Sequence, residues 1–197
     1  MTYTDLQASI AEFLNRQDLT AAIPTFVRLA EAQIARDVRH WRMEKRKVAP
    51  FDEAFEELPE DWLETIRLQM DGQPMELASR EEIARARQSD AGGRPRFFCH
   101  SEGSLEVWPA PNGVFEAELL YFARVPALTA EAPTNWLLTE APDVYLYGAL
   151  IHTAPYLVED ERAQTWGSLY AAAVQNLNQS SNRARHSGPL RLRVRNG

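Results

Sequence analysis

The sequence predicts an α+β fold that is mainly α: a four-helix-type bundle interrupted by a small antiparallel sheet, with an extended C-terminal arm. Three observations carry this. Apolar residues recur at steps of three and four over 4–43 and again over 140–180, the spacing of helices with one buried face. Over 45–125, Pro50, Pro59, Pro74, Pro95, Pro109 and Pro111 separate short apolar runs joined by Asp-Gly, Glu-Gly and Asn-Gly pairs, the pattern of strands and tight turns. Near the end the period changes to two, with arginine at alternate places. Residues 1–180 read as a single domain with a β-rich insertion at 45–125, and residues 181–197 as an arm.

Each element has a local reason. Thr4-Asp5-Leu6-Gln7 has the form of a capping box, and Leu6, Ile10, Phe13 and Leu14 follow on one helical face; this helix should end near Arg16. Pro24 suits the first turn of a second helix, where its missing N–H costs nothing. Phe26, Ala30, Ile34, Val38 and Trp41 extend that helix's apolar stripe to about Met43. Thr65–Met70, Asp71-Gly72 and Gln73–Ala78 read as strand, turn, strand, since Asp-Gly supplies the positive φ that tight hairpins need. Ser79 caps a short helix at 80–87. Residues 89–94, with Gly92-Gly93, read as a mobile loop, because glycine has high backbone entropy. Residues 96–101, 104–108 and 114–124 are three more strands, closing one antiparallel sheet of four or five. Thr139 is placed to cap a buried helix with Pro142 in its first turn and Pro155 at its end. Asp160 is placed to cap the last helix, which bears Trp166, Leu169, Tyr170, Ala173, Val174 and Leu177.

The tail from Ser181 holds Arg183, Arg185, Arg191, Arg193 and Arg195 and no acid. The rest of the chain then has 16 of the 21 basic residues against all 28 acids, a body near −12 and a tail near +5. Gly188-Pro189 breaks a preceding helix. Beyond it Leu190, Leu192 and Val194 alternate with Arg191, Arg193 and Arg195, a strand pattern. A lone strand cannot satisfy its own backbone, so this segment is built to pair outside its own domain. Fully extended, the arm spans roughly 55–60 Å, against a radius of gyration near 16 Å for a compact domain of this length.

Composition is that of a globular protein able to bury a core. No apolar run approaches the ~20 residues that span a bilayer, and the opening residues lack a basic-then-apolar signal pattern. No membrane partner and synthesis in the cytoplasm are the expectations. Cys99 is the single cysteine, which excludes an internal disulfide. The search for chemistry assigns no catalytic, cofactor-binding or metal residue. His40, His100, His152 and His186 have no ligand spacing, and His152 reads as a satisfied core histidine. Cys99 and His100, adjacent on a strand, point to opposite faces and cannot pair. Asp61 and Glu64 around Trp62 read as a pinned turn rather than a carboxylate pair. Trp62, Trp108 and Trp136 sit in turn contexts, either anchoring loops or facing a neighbouring copy.

The order of segments resembles the head-to-tail connector, or portal adaptor, proteins of tailed bacteriophages. The resemblance rests on Ile10-Ala-Glu-Phe-Leu-Asn-Arg-Gln-Asp-Leu19 and its lead-in from Thr4, on Ile23–Arg39, on Leu58-Pro-Glu-Asp-Trp-Leu-Glu64, and on Pro133–Leu138 leading into Ala141–Leu150. It implies a helical bundle with a β-rich insertion and a ring of twelve copies beneath the portal protein. It also implies passage of DNA through the channel without specific binding, a downstream tail or stopper protein, and an arm that reaches the portal. The virion's head-tail junction is the implied location, after synthesis in the host bacterial cytoplasm. The acidic body fits a channel that must not grip phosphates. From the residues alone, the arm pairs as a strand with something outside its own domain; with what the resemblance implies, the acceptor is an exposed edge on the portal or on an adjacent copy. The competing class is a nucleic-acid-binding module using the Arg-rich tail, whose affinity would fall steeply with salt. An enzyme has no constellation behind it.

Overall fold

The computed structural model describes residues 1–16, 18–87, 92–156 and 162–185. The chain divides into a helical unit, Met1–Arg42 with Val125–Gly197, and a β-rich unit, Met43–Arg124.

In the helical unit, α1 (Tyr3–Leu14) starts from Thr2 rather than from the expected Thr4. The Thr2 hydroxyl accepts from the Asp5 amide at 3.2 Å while the Asp5 carboxylate accepts from the Thr2 amide at 2.8 Å. A carboxylate is a stronger acceptor than the Gln7 amide would be, and it wins the box. Leu6, Ile10 and Leu14 are buried, whereas Phe13 is 46% exposed. Asn15, at φ 51°, closes the helix, in the left-handed conformation that asparagine tolerates.

α2 (Ile23–Asp37) stops six residues short of Met43. Val38 is extended, and the next amides are taken from far along the chain: Arg39 N–H donates to Asn178 Oδ1 (3.0 Å) and Trp41 N–H to Ser181 Oγ (2.8 Å). The expected cap at Thr139 is also corrected. Asn135 caps a short α4 (Trp136–Glu140), accepting from the Leu138 amide at 2.8 Å, and α5 (Pro142–Ile151) starts afresh at Pro142.

α5 lies against α1, α2, α4 and α6 (Arg162–Arg185) and is buried along Val144, Tyr145, Gly148, Ala149 and Leu150. Glycine at 148 is a matter of space: a Cβ there would sit 3.3 Å from both the Ala30 Cβ and the Tyr170 ring. Tyr170 in turn donates to Asp37 Oδ2 at 3.0 Å. His152, expected as a satisfied core histidine, is half-buried and only half satisfied: it hydrogen-bonds the Leu29 backbone, while its Nε2 is buried without a partner among the described residues. Asp160, the expected cap of α6, lies outside the described residues.

The β-rich unit holds β1 (Glu44–Phe51), β2 (Phe55–Glu57), β3 (Trp62–Met70), β4 (Gln73–Pro74), β5 (Glu76–Leu77), α3 (Arg80–Ala86), β6 (Phe97–Ser101), β7 (Ser104–Trp108) and β8 (Phe115–Ala123). The single antiparallel sheet expected is instead two four-stranded sheets, ordered β1-β8-β3-β4 and β2-β7-β6-β5, and β5 runs parallel to β6. Their facing residues form one core: Phe51, Leu68, Met70, Ala117, Leu119 and Tyr121 from the first sheet meet Phe98, Leu105 and Val107 from the second. Asp71-Gly72 and Glu102-Gly103 both have two successive positive φ angles (47° and 73°, 52° and 82°), the primed turns that match strand twist. Ser79 caps α3 as expected, in a box with Glu82.

Candidate functional site

The expected arm residues divide into two groups. Arg183 and Arg185 are in the last turn of α6, so the helix runs through the point where an extended arm was expected to begin. Leu190, Arg191, Leu192, Arg193, Val194 and Arg195 lie outside the described residues, as do residues 89–91 of the loop expected at 89–94.

The root of the arm is a built structure. Ser181 is fully buried and takes the Trp41 amide. Asn178 takes the Arg39 amide and donates its own Nδ2–H to the Asp37 carbonyl at 3.0 Å. Three hydrogen bonds therefore clasp the end of α6 to residues 37–41. Beside the clasp, buried His40 stacks on Trp136 (centroids 5.1 Å, 22°) and leans on Trp41 (5.7 Å). The Arg42 guanidinium lies 5.1 Å over the Trp41 ring and pairs with Glu140 at 2.6 Å. Burial lowers the pKa of His40, with Arg42 and Arg185 acting the same way and Glu140 opposing. A neutral imidazole fits its Nδ1, which accepts from the Arg42 amide at 3.3 Å. Trp41 is 44% exposed. Sequence periodicity placed it on the buried face of a longer α2, and only the docking of α6 reveals it.

The three tryptophans singled out by sequence are each half-buried and each held within the chain. Trp136 stacks on His40. Trp62 donates from Nε1 to Thr65 Oγ1 (3.1 Å), leans on His100, and Thr65 Oγ1 is 2.9 Å from His100 Nε2. Trp108 ends β7 at a cis bond to Pro109. Trp62 and Trp108 belong to the β-rich unit and Trp136 to the helical unit.

Catalytic geometry does not assemble among the described residues. The Cys99 thiol faces Glu106 (3.7 Å), and burial together with that carboxylate raises its pKa, which disfavours the thiolate nucleophile. His100 points to the other face, as expected. No group of three or more His, Cys, Asp or Glu is placed to hold a metal ion, and no helix is long and apolar enough to cross a membrane, among the described residues.

Two exposed surfaces differ sharply in charge. α6 has no charged residue from Ala163 to Asn182, and Gln33 and Asp37 of α2 with Gly167, Ala171, Gln175 and Asn178 of α6 line a groove of about 700 Å³. Residues 52–64 hold seven acids and no base.

A search of curated proteins found no match. A family model described as SU10 adaptor protein matches residues 1–193. That span covers both units, the clasped end of α6 and most of the arm. The expectation of a phage adaptor agrees with it at the level of a structural, head-tail adaptor-type protein. The chain belongs to the SU10 adaptor protein family.

Proposed function

We propose that the chain is a structural component of the phage virion that forms a ring of twelve copies below the portal protein. DNA passes through the ring, a tail or stopper protein binds below it, and the C-terminal arm anchors each copy on the portal or on the neighbouring copy. The match over residues 1–193 is the observation that carries this reading. The clasp at 37–41 supports it, because an arm can transmit a pull only if its root is fixed, and three hydrogen bonds fix it. The charge-free run of α6 supports it too, because an exposed face without charge neither grips phosphates nor repels a like-charged neighbour.

The nucleic-acid-binding alternative draws less support. Among the described residues, Arg42, Lys45, Arg46, Arg67 and Arg87 are each in an ion pair with an acid of the same chain. These five are committed within the chain, and the body as a whole is acidic, near −12.

Two measurements test the proposal. Light scattering on the isolated chain should show a monomer or weak association, and mixing with portal rings should give a complex of portal plus twelve copies. A chain truncated after Gly188 should keep its melting temperature and lose portal loading, and Leu192→Asp should do the same. Wild-type occupancy by the truncated chain would reduce the arm to a frayed end. A stable ring formed by the isolated chain at physiological salt would show that the portal is not the template.

A further inference from the structure

The β-rich unit has an open edge whose chemistry is the complement of the arm. β2 is the outermost strand of its sheet. Val107 N–H donates to the Ala54 carbonyl and Leu58 N–H to the Gly103 carbonyl, so Ala54, Glu56 and Leu58 direct their main-chain groups to β7. By the alternation of a strand, those of Phe55 and Glu57 are directed outward. The side chains alternate as well. Phe55 pairs in register with Glu106, on the outer face of the sheet, where Arg87 lies 5.7 Å over the Phe55 ring. Glu56 pairs with core residue Leu105 and, with Lys47 and Glu57, rims a narrow crevice of about 20 Å³ floored by Ala49, Phe51, Leu68, Leu105, Ala117 and Leu119. Phe55 is 48% exposed. Asp52, Glu53, Glu57 and Glu60 are exposed and, among the described residues, are in no ion pair.

We infer that β2 receives residues 190–195 of a neighbouring copy as an added strand. Leu190, Leu192 and Val194 then lie on the core-side face, over the aliphatic stems of Lys47 and Glu56 at the rim of the crevice, and Arg191, Arg193 and Arg195 lie on the outer face with Glu53, Phe55 and Glu57. Main-chain hydrogen bonds to Phe55 and Glu57 supply affinity, and the alternation of aliphatic and cationic residues supplies specificity. The basic edge strand of the other sheet, with Lys45, Arg46 and Lys47, would repel the same arm. Ten residues separate Arg185, the last described residue of α6, from Arg195, a reach of about 35 Å when extended. The inference rests on the reading of the chain as a ring-forming adaptor, which brings a neighbour's β2 within that reach, and it names the adjacent copy as the arm's acceptor.

The test uses full-length chains carrying Cys99→Ser. One bears Glu57→Cys and the other Arg193→Cys, and the mixture is assembled on portal rings and treated with a flexible bismaleimide that tolerates a two-residue shift of register. A cross-linked heterodimer, competed away by a peptide of residues 187–197, is expected. Glu53→Lys in the first chain should lower its yield about fivefold, the worth of one exposed ion pair. Arg191→Glu with Arg195→Glu in the second chain should restore it. Absence of the heterodimer, or a yield indifferent to these charges, overturns the inference. So does a cross-link that forms only within a chain bearing both cysteines. If the heterodimer fails to form while truncation after Gly188 still abolishes portal loading, the adaptor reading stands and the arm's acceptor is the portal.

Discussion

The two units put opposite surfaces into water. α6 shows a long neutral face of alanine, serine, glutamine and asparagine, whereas residues 52–64 show a run of acids. A neutral face of small residues costs little to desolvate, as befits surface that another protein covers. An acidic run keeps its water, repels DNA and attracts an arginine-rich arm. The units also differ in what holds them. The helical unit is close-packed around α5 and clasped at the end of α6 by side chains far apart in sequence. The β-rich unit is two sheets over one core, with edge strands left open.

Packing separates the units most strongly. Gly148→Val should destabilise the helical unit by about 3 kcal/mol, because Ala30 and Tyr170 already sit 3.3 Å from the position of a Cβ and overpacking a dense core forces backbone shifts. At about 2–4 °C per kcal/mol for a chain of this size, calorimetry should show Tm falling by some 6–12 °C. In the β-rich unit a glycine acts through φ instead. Gly103 has open space around its Cβ position but φ 82°, so Gly103→Ala should cost about 1 kcal/mol. If the two substitutions cost the same, the contrast in packing does not hold.

The clasp comes next. Ser181→Ala leaves the Trp41 amide without its acceptor at a fully buried position, worth about 1–3 kcal/mol. Fluorescence of Trp41 should shift with it, as residues 37–41 loosen, and portal loading should weaken through the arm's root. An unchanged Tm together with unchanged loading would show that the clasp neither stabilises the fold nor orients the arm.

Much of the fold was legible because local rules and tertiary contacts agreed. The helical stripes, the primed turns at Asp71-Gly72 and Glu102-Gly103, the Ser79 cap and strands β6, β7 and β8 follow from residues close in sequence. The misplaced caps at Thr4 and Thr139 were decided locally, by Asp5 and by Asn135, whereas the larger misreadings arose where partners distant in sequence decided the outcome. Val38 and Trp41 continue the spacing of α2, but Asn178 and Ser181 take the next amides and end it. β1 was hidden by Lys45-Arg46-Lys47 and Pro50, residues that only an edge strand accommodates. The division into two sheets depends on β5 pairing parallel with β6 across α3, which no local pattern announces. Of the site, the arm's charge and alternation were legible. Its fixed root and the exposed Trp41 were not, since both depend on where α6 docks.

The smallest expected effect is a difference in acid sensitivity between the units. Burial lowers His40 and His152 in the helical unit and His100 in the β-rich unit below the ordinary imidazole value of 6.5. Below about pH 6.5 the unfolded chain therefore binds protons that the folded chain refuses, so stability falls as pH drops in both units. Glu31 opposes this in the helical unit. Burial raises its pKa, although it accepts from the Leu128 amide at 2.7 Å, so the folded form takes up a proton first and gains stability on acidification. The carboxylates of the β-rich unit behave oppositely. Burial works against Asp61, but Lys45 and Tyr121 outweigh it and hold its pKa below the ordinary carboxylate value of 3.8. The Arg46 hydrogen bond, against burial and helped by Arg67, lowers Glu118. Stability from these two is present at neutral pH and is lost as pH falls through their depressed values. Hydrogen exchange below about pH 4, the window of these two carboxylates, should thus show amides of β1, β3 and β8 losing protection faster than those of α2 and α5. Glu31→Gln should narrow the gap by removing the helical unit's compensation. Opening of α2 and α5 first would mean that the buried histidines, not the carboxylates, govern acid unfolding.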